Sequence, residues 1–273
     1  MIARTISIPY RSRKDEFKLL PISDIHYGHA TCDSRKLISD LKKHVDEKTF
    51  IIGVGDWLDM IIVQDVKRYI KVFDAMKSGA LIDEQIAGLA EIFKPYARNV
   101  IAIGDGNHED TIIRIGTNPM KRLADMLTTK DHAPIYVGYS WLLALSFHLP
   151  SGSQGRTCII RGHHGWGGQT RTQGADITKY SNDVLFWSAD LFLYGHTHNL
   201  KVNPVQEGRM VGKSGWRTFT KKMLVCGSYQ RTYGNSAEAT YAEKRGFPPV
   251  STQCPIVYLR PGASRGPEIK VMI

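Results

Sequence analysis

Cysteine is scarce in this chain. Its 273 residues hold four, Cys32, Cys158, Cys226 and Cys254, widely separated and with no C-x-x-C pair, which excludes a zinc knuckle and a dithiol redox motif. Long apolar runs are missing as well, so no segment spans a bilayer as a helix. The first ten residues alternate Ile2, Ile6 and Ile8 with polar neighbours. That pattern belongs to a first strand, not to the continuous apolar core of a signal peptide. Internal repeats and low-complexity tracts are absent. Acidic residues are outnumbered, 26 against 36 Lys and Arg, for a formal net charge of +10, and such an excess favours polyanionic partners such as DNA or RNA. What remains is a cytoplasmic, soluble protein in a reducing compartment. With 42% hydrophobic residues it is long enough to bury a substantial core as a single domain spanning residues 1–273.

Short runs rich in Ile, Val and Leu, stopped by Gly, Asp or His, read as buried strands at Phe17–Ile22, Phe50–Val54, Val100–Ile103, Thr157–Ile160 and Leu191–Tyr194. Helical spacing lies between them. Leu37, Leu41 and Val45 follow the capping candidates Asp33 and Ser34; Val63, Val66, Ile70 and Phe73 trace a second stripe ending at Ser78-Gly79. Ile82, Ile86, Leu89 and Phe93 form a third before Pro95, and Pro119 opens a fourth through Met120, Leu123 and Leu127. Beyond residue 200, Gly, Thr, Lys and aromatic residues predict hairpins. Residues 201–273 are therefore expected to be a β-rich, basic part of the same sandwich.

Five times an apolar strand ends and a metal-competent side chain follows. The segments are Ser23-Asp24-Ile25-His26, Gly55-Asp56-Trp57-Leu58-Asp59, Gly106-Asn107-His108-Glu109, Gly162-His163-His164-Gly165 and Gly195-His196-Thr197-His198. In open α/β sheets the carboxyl ends of strands build the site, so five such loops converge on one crevice. Carboxylate, imidazole and amide donors suit manganese, iron, zinc or nickel better than calcium, which is held by oxygen alone. In D-x-H and H-x-H, alternate residues of an extended chain project to one side, so both members of each pair face one cluster. Asp56 is the natural bridge, because a carboxylate offers two oxygens.

The order D-x-H, G-D-x-x-D, G-N-H-E, a lone histidine after a strand, and G-H-x-H resembles the calcineurin-like metallophosphoesterases. The resemblance runs from Asp24 to His198 and leaves the C-terminal segment largely unmatched. It implies an α/β, four-layer α-β-β-α sandwich with two mixed sheets and two divalent metal ions, manganese first among them. Asp24, His26 and His198 would hold the first ion, and Asn107, His196 and the lone histidine the second, with Asp56 between. Either His163 or His164 fits the lone-histidine pattern, and adjacent residues cannot both point inward; His164 is the first choice. His108 would contact the substrate phosphate and protonate, or stabilise charge on, the leaving group. The implied activity is hydrolysis of phosphate esters by metal-activated water. A phosphodiesterase acting on nucleic acid or nucleotides stands first. A phosphomonoesterase or protein phosphatase on the same centre, or a non-catalytic scaffold, are the alternatives.

Other polar residues have quieter readings. Asp59 is expected to orient a loop or a ligand, and Glu109 and Asp110 to start a helix or support the ligands. His29 sits near the mouth, as a surface residue or a participant; His44, His132 and His148 are structural. Gly165-Trp166-Gly167-Gly168 is either a flap or an ordinary turn. Nine cations, Lys201, Arg209, Lys213, Arg217, Lys221, Lys222, Arg231, Lys244 and Arg245, face only Glu207, Glu238 and Glu243 in that stretch. With Trp216, Phe219, Tyr229 and Tyr233 interleaved they form either a base-stacking nucleic-acid groove or a solvated basic surface.

Overall fold

A computed structural model describes residues 1–273 except 62–80, 115, 150–154, 169–171, 173, 235–238 and 263–266. The apolar stripe of Val63, Val66, Ile70 and Phe73 lies outside the described residues. Twelve strands and six α-helices are defined among the rest. In chain order they are β1 (Ile2–Pro9), β2 (Phe17–Ile22), α1 (Ser34–His44), β3 (Thr49–Val54), α2 (Leu81–Phe93), β4 (Val100–Gly104), α3 (Asn107–Ile113), α4 (Pro119–Met126) and β5 (Ile135–Tyr136). The second half supplies β6 (Ser140–His148), β7 (Arg156–His163), α5 (Ala175–Phe186), β8 (Leu191–Tyr194), β9 (Leu200–Val211), β10 (Gly215–Cys226), α6 (Tyr241–Arg245), β11 (Ile256–Arg260) and β12 (Glu268–Met272).

Local chemistry explains the helix boundaries. Asp33 caps α1 by accepting from the Lys36 amide at 3.1 Å, and Lys42, Lys43 and His44 complement the dipole of its last turn. Asn118 accepts from the Lys121 amide at 2.8 Å, with Pro119 as the first residue of α4. The four helical stripes read from the sequence do not include α5. A glycine-rich run precedes that helix, and its cap is Gly174 in a left-handed conformation without a side-chain bond, so no N-terminal signature announces it. Strand β6 carries the cleanest alternation in the chain, with Trp141, Leu143, Leu145 and Phe147 buried on one face.

The strands form two six-stranded mixed sheets, in the orders β1-β6-β7-β8-β10-β9 and β12-β11-β2-β3-β4-β5. Strands β2, β3, β4 and β5 run parallel, as do β7, β8 and β10. Successive residues of β2 show how the sheets stack: Phe17 and Leu19 enter the core shared by the two sheets, alongside Leu143, Leu191 and Leu224. Leu20 and Ile22 enter a second core against Leu37 of α1, Leu89 of α2 and Leu123 of α4. On the far side, Phe192, Tyr194, Met223 and Val225 pack against Tyr180 and Val184 of α5. The result is a four-layer α-β-β-α sandwich. Burial on both faces is why the central strands read as continuous apolar runs.

The C-terminal strands join both sheets, β9 and β10 in one and β11 and β12 in the other. Among the described residues no helix is long and apolar enough to cross a membrane. Leu193, fully buried between the sheets, should cost about 2–5 kcal/mol on replacement by Ala. Leu185→Ala, at a side chain 72% exposed, should stay within about 0.5 kcal/mol of wild type. Urea denaturation of the two variants checks both values.

Candidate metal centre

The carboxyl ends of β2, β3 and β4 in one sheet meet those of β7 and β8 in the other, and the five polar loops touch. The Asp24 amide donates to Gly55 O at 3.0 Å and the His26 amide to Asp56 O at 3.0 Å, locking the first two loops together. The His196 amide donates to Asp24 Oδ2 at 2.9 Å, joining the two sheets at the site. The His108 amide donates to Asp56 Oδ1 at 3.0 Å. Two glycines allow this closeness. A Cβ on Gly106 would overlap Asp56 Oδ1, and one on Gly195 would overlap Ser23 Oγ.

Of the nine residues singled out from sequence, eight stand in one linked cluster. His26 Nε2 lies 3.2 Å from His198 Nε2 and 3.8 Å from Asp24 Oδ1, and His198 Nε2 lies 3.4 Å from Asp24 Oδ1. On the other side His164 Nε2 is 3.1 Å from Asp56 Oδ2 and 3.2 Å from Asn107 Oδ1. His196 Nδ1 is 2.7 Å from Asn107 Oδ1. His26 Nε2 and His108 Nε2 are each 3.9 Å from Asp56 Oδ2. Three donor sets have all ligand atoms within 4.8 Å of one another: Asp24, His26 and His198; His26, Asp56 and His108; and Asp56, His164 and His196. His163 is the one left outside. Its Nδ1 accepts from the Gly165 amide at 2.9 Å, and its ring packs edge-on against Tyr139 and Trp166.

The backbone reaches this arrangement differently from the extended D-x-H and H-x-H segments that the sequence predicts. Six described non-glycine residues have positive φ, and five of them are Asp24 (51°), His26 (50°), Asp56 (50°), His196 (70°) and His198 (58°). Each left-handed residue costs on the order of 1–3 kcal/mol and persists only where its surroundings hold it. Alternate left-handed residues, not a pleated strand, aim both members of each pair at the cluster.

Histidine ring orientations are held from behind. His164 Nδ1 lies 2.8 Å from Val54 O, His108 Nδ1 lies 2.6 Å from Asp59 O, and His196 Nε2 contacts Gly167 O. His26 Nδ1 stands 3.6 Å from Asp59 Oδ1. One nitrogen faces the cluster and the other faces a carbonyl or carboxylate, the pattern that fixes tautomer and direction in metal-ligating histidines. Val54 O and Gly167 O carry no sequence signal, since every residue has a carbonyl. The Gly165–Gly168 segment is tethered through Gly167 O and through Gly168 O, which accepts from Lys179 Nζ at 2.8 Å.

Electrostatics fit a cation. Asp24 and Asp56 are 0% and 2% exposed, and burial opposes their charge. His198 and His164 outweigh it at Asp24, and His164 and His108 at Asp56, so both carboxyls sit below their ordinary range. Burial likewise works against a proton on His164, but the adjoining Asp56 carboxylate overcomes it and pushes that imidazole up to about 10. The neighbouring imidazoles thus act on these oxygens in the direction in which divalent ions would act. Two carboxylates, five inward imidazoles and an amide oxygen make a mixed oxygen and nitrogen donor set of the kind that borderline divalent ions take.

Glu109 is fully buried and ties two loops: Oε2 accepts from the Asp56 amide at 3.0 Å and the Gly106 amide at 2.8 Å, and Oε1 from the Leu58 amide at 2.9 Å. Burial and the neighbouring Asp56 push its carboxyl up to about 8, against the three amide donors. Glu109→Ala leaves those donors without an acceptor. At roughly 1–3 kcal/mol each, the expected loss is at least about 3 kcal/mol, measured by urea unfolding with chelator present. Glu109→Gln, which keeps acceptor capacity, should lose less.

No protein-family model matches the chain, and no curated protein matches it. Among solved structures it is similar to GAP50, described as the anchor in the inner membrane complex of Plasmodium, at 11% identity and a TM-score of 0.44. That match covers 94% of this chain and 84% of the other. A protein of Streptococcus pneumoniae described as a predicted phosphoesterase matches at 12% identity and a TM-score of 0.29, over 94% and 99% of the two chains. Vps29 of Entamoeba histolytica, solved with Zn2+, matches at 12% identity and a TM-score of 0.34, over 94% and 98%. At these values the reading of the site rests on the chain's own residues.

Proposed function

We propose that this protein is a metal-dependent hydrolase of phosphate esters, working with two divalent ions at the joined ends of the sheets. The observation that carries the reading is the overlap of the three donor sets. Asp56 belongs to two of them, and so does His26, which supports a site that would take two cations. Asp24, His26 and His198 would hold one ion, and Asn107, His196 and His164 the other, with Asp56 between them. When bound, such ions would supply an activated water and charge neutralisation at the phosphoryl oxygens. Manganese is the first choice, with iron, zinc and nickel as the other candidates.

His108 is the residue placed to meet the substrate. Its Nδ1 is committed to the Asp59 carbonyl at 2.6 Å, and its Nε2 faces the cluster beside Asp56. That nitrogen is left to donate to a phosphoryl or leaving-group oxygen. Such a donor assists an alkoxide leaving group, which favours a phosphodiesterase, with nucleic acid or nucleotides preferred by the positive net charge. Phosphomonoesters are the second substrate class. The four cysteines are unpaired, and the reducing cytoplasm is the proposed setting.

Calorimetric titration with Mn2+ should find two ions per chain, and His198→Ala should lose at least one. Manganese at a hundred times its Kd should stabilise the fold by about 2.7 kcal/mol. The loaded protein should hydrolyse bis-nitrophenyl phosphate faster than nitrophenyl phosphate. Asp56→Asn and His108→Ala should each lower kcat/KM by about 100-fold or more. A protein that binds no manganese and turns over neither ester sinks the proposal; a faster monoester rate moves it to the phosphomonoesterases.

A further inference from the structure

We infer that the β9–β10 hairpin is a nucleic-acid-binding arm, at the end of the molecule opposite the metal centre. Strand β10 runs toward the centre: shortly after its end, Ser228 Oγ and the Tyr229 amide donate to Asp24 O at 2.8 and 3.0 Å. Its other end therefore points away. Strand β8 pairs only with Lys222–Val225 of β10, while β9 pairs with β10 along its whole length, from Val211 opposite Gly215 to Leu200 opposite Cys226. Residues 205–211 and 215–221 thus form a two-stranded ribbon projecting about 20 Å past the sheet at 3.3 Å per residue. At its root Lys221 Nζ donates to Val184 O and Trp187 O, both at 3.3 Å.

Both faces of this ribbon point to a polyanion with planar bases. On one face Arg217 is directly opposite Arg209, and like charges so paired repel. Arg209 is engaged by Glu207 at 2.8 Å and lies over the Phe219 ring. Arg217 and the apical Lys213 have no acidic partner among the described residues. An anion laid along this edge would relieve the repulsion. On the other face Met210 and Trp216, register partners, are 73% and 74% exposed, and Gln206, Thr218 and Thr220 beside them are exposed too. Trp216 lies across Gly208, which has no side chain to cover it.

A two-stranded ribbon fits the major groove of a duplex, about 12 Å wide, with polar and aromatic side chains toward the bases and cations toward the phosphates. A lipid surface fits less well. The apex is Gly212-Lys213-Ser214, so a charged residue would have to enter the bilayer first. Two aromatics that the sequence placed in a stacking role are not available for it. Tyr229 is 1% exposed with its hydroxyl donating to Asp40 at 3.1 Å, and Phe219 is covered by Arg209. Trp216 is the aromatic that the ribbon presents.

The test uses the full chain in chelator, so it is independent of hydrolysis, with anisotropy of a labelled 20-base-pair duplex as readout. Wild type should bind in the micromolar range or tighter at 100 mM salt. The double variant Lys213→Glu, Arg217→Glu should bind at least tenfold more weakly. Its salt slope should fall by about 2, one for each phosphate that is no longer neutralised. Trp216→Ala should weaken binding with the slope unchanged. A control with the same charge change at exposed positions off the ribbon, Lys14→Glu with Lys130→Glu, should bind within about threefold of wild type. Melting temperature and aryl phosphodiester hydrolysis should be the same in all variants. Failure of wild type to bind duplex, equal losses in control and ribbon variants, or binding to phosphatidylserine vesicles but not to duplex would each overturn the inference.

Discussion

Two carboxylates without access to water govern the structure. Asp24 and Asp56 lie at the seam where the ends of two sheets meet, and neither can carry its charge there without cations against its oxygens. The chain surrounds them with His26, His108, His164, His196 and His198, brought from both sheets. The seam is therefore polar at its end and apolar along its length, where Leu19, Leu143, Leu191 and Leu193 meet. A cation pair on those oxygens would bind the two halves of the sandwich to each other, so ligand affinity and sheet packing share one set of contacts.

Support for this seam comes from behind the clustered side chains. Five left-handed residues and a buried Glu109 are costly locally, and they persist because the loops hold one another: Glu109 holds the Asp56 and Gly106 loops, Asp24 holds His196, and Ser228 holds Asp24. Backbone carbonyls of Val54, Asp59 and Gly167 turn the imidazoles inward. These contacts orient the side chains without any ligand, the arrangement that preorganised charge stabilisation needs.

The molecule is also polarised end to end. The acidic and imidazole cluster occupies the carboxyl ends of the parallel strands, while a ribbon with exposed Lys213, Trp216 and Arg217 sits at their amino ends. Separating the two keeps the arm's cations from competing for the buried carboxylates. It also leaves the arm free to hold a polyanion without blocking the crevice.

Much of this was legible in the order of residues. Short apolar runs located β2, β3, β4, β7 and β8, because these strands are buried on both faces, and the 3.6-residue spacing of apolar residues located α1, α2 and α4, because each helix buries one face. The five polar segments were legible because each interrupts an apolar strand, and a buried polar group without a purpose is costly. Helix α5 was not, since a glycine-rich run hides its start, and Tyr229 read as a stacking residue because a sequence does not reveal which aromatic lies inside. Composition and spacing by themselves determined the alternating elements, the donor types and their order along the chain. Only the tertiary structure decided that His164 and not His163 turns inward, that left-handed turns aim the ligands, and that the basic hairpin points away from them. Those outcomes depend on contacts between loops far apart in the chain, and local preference carries no information about such contacts.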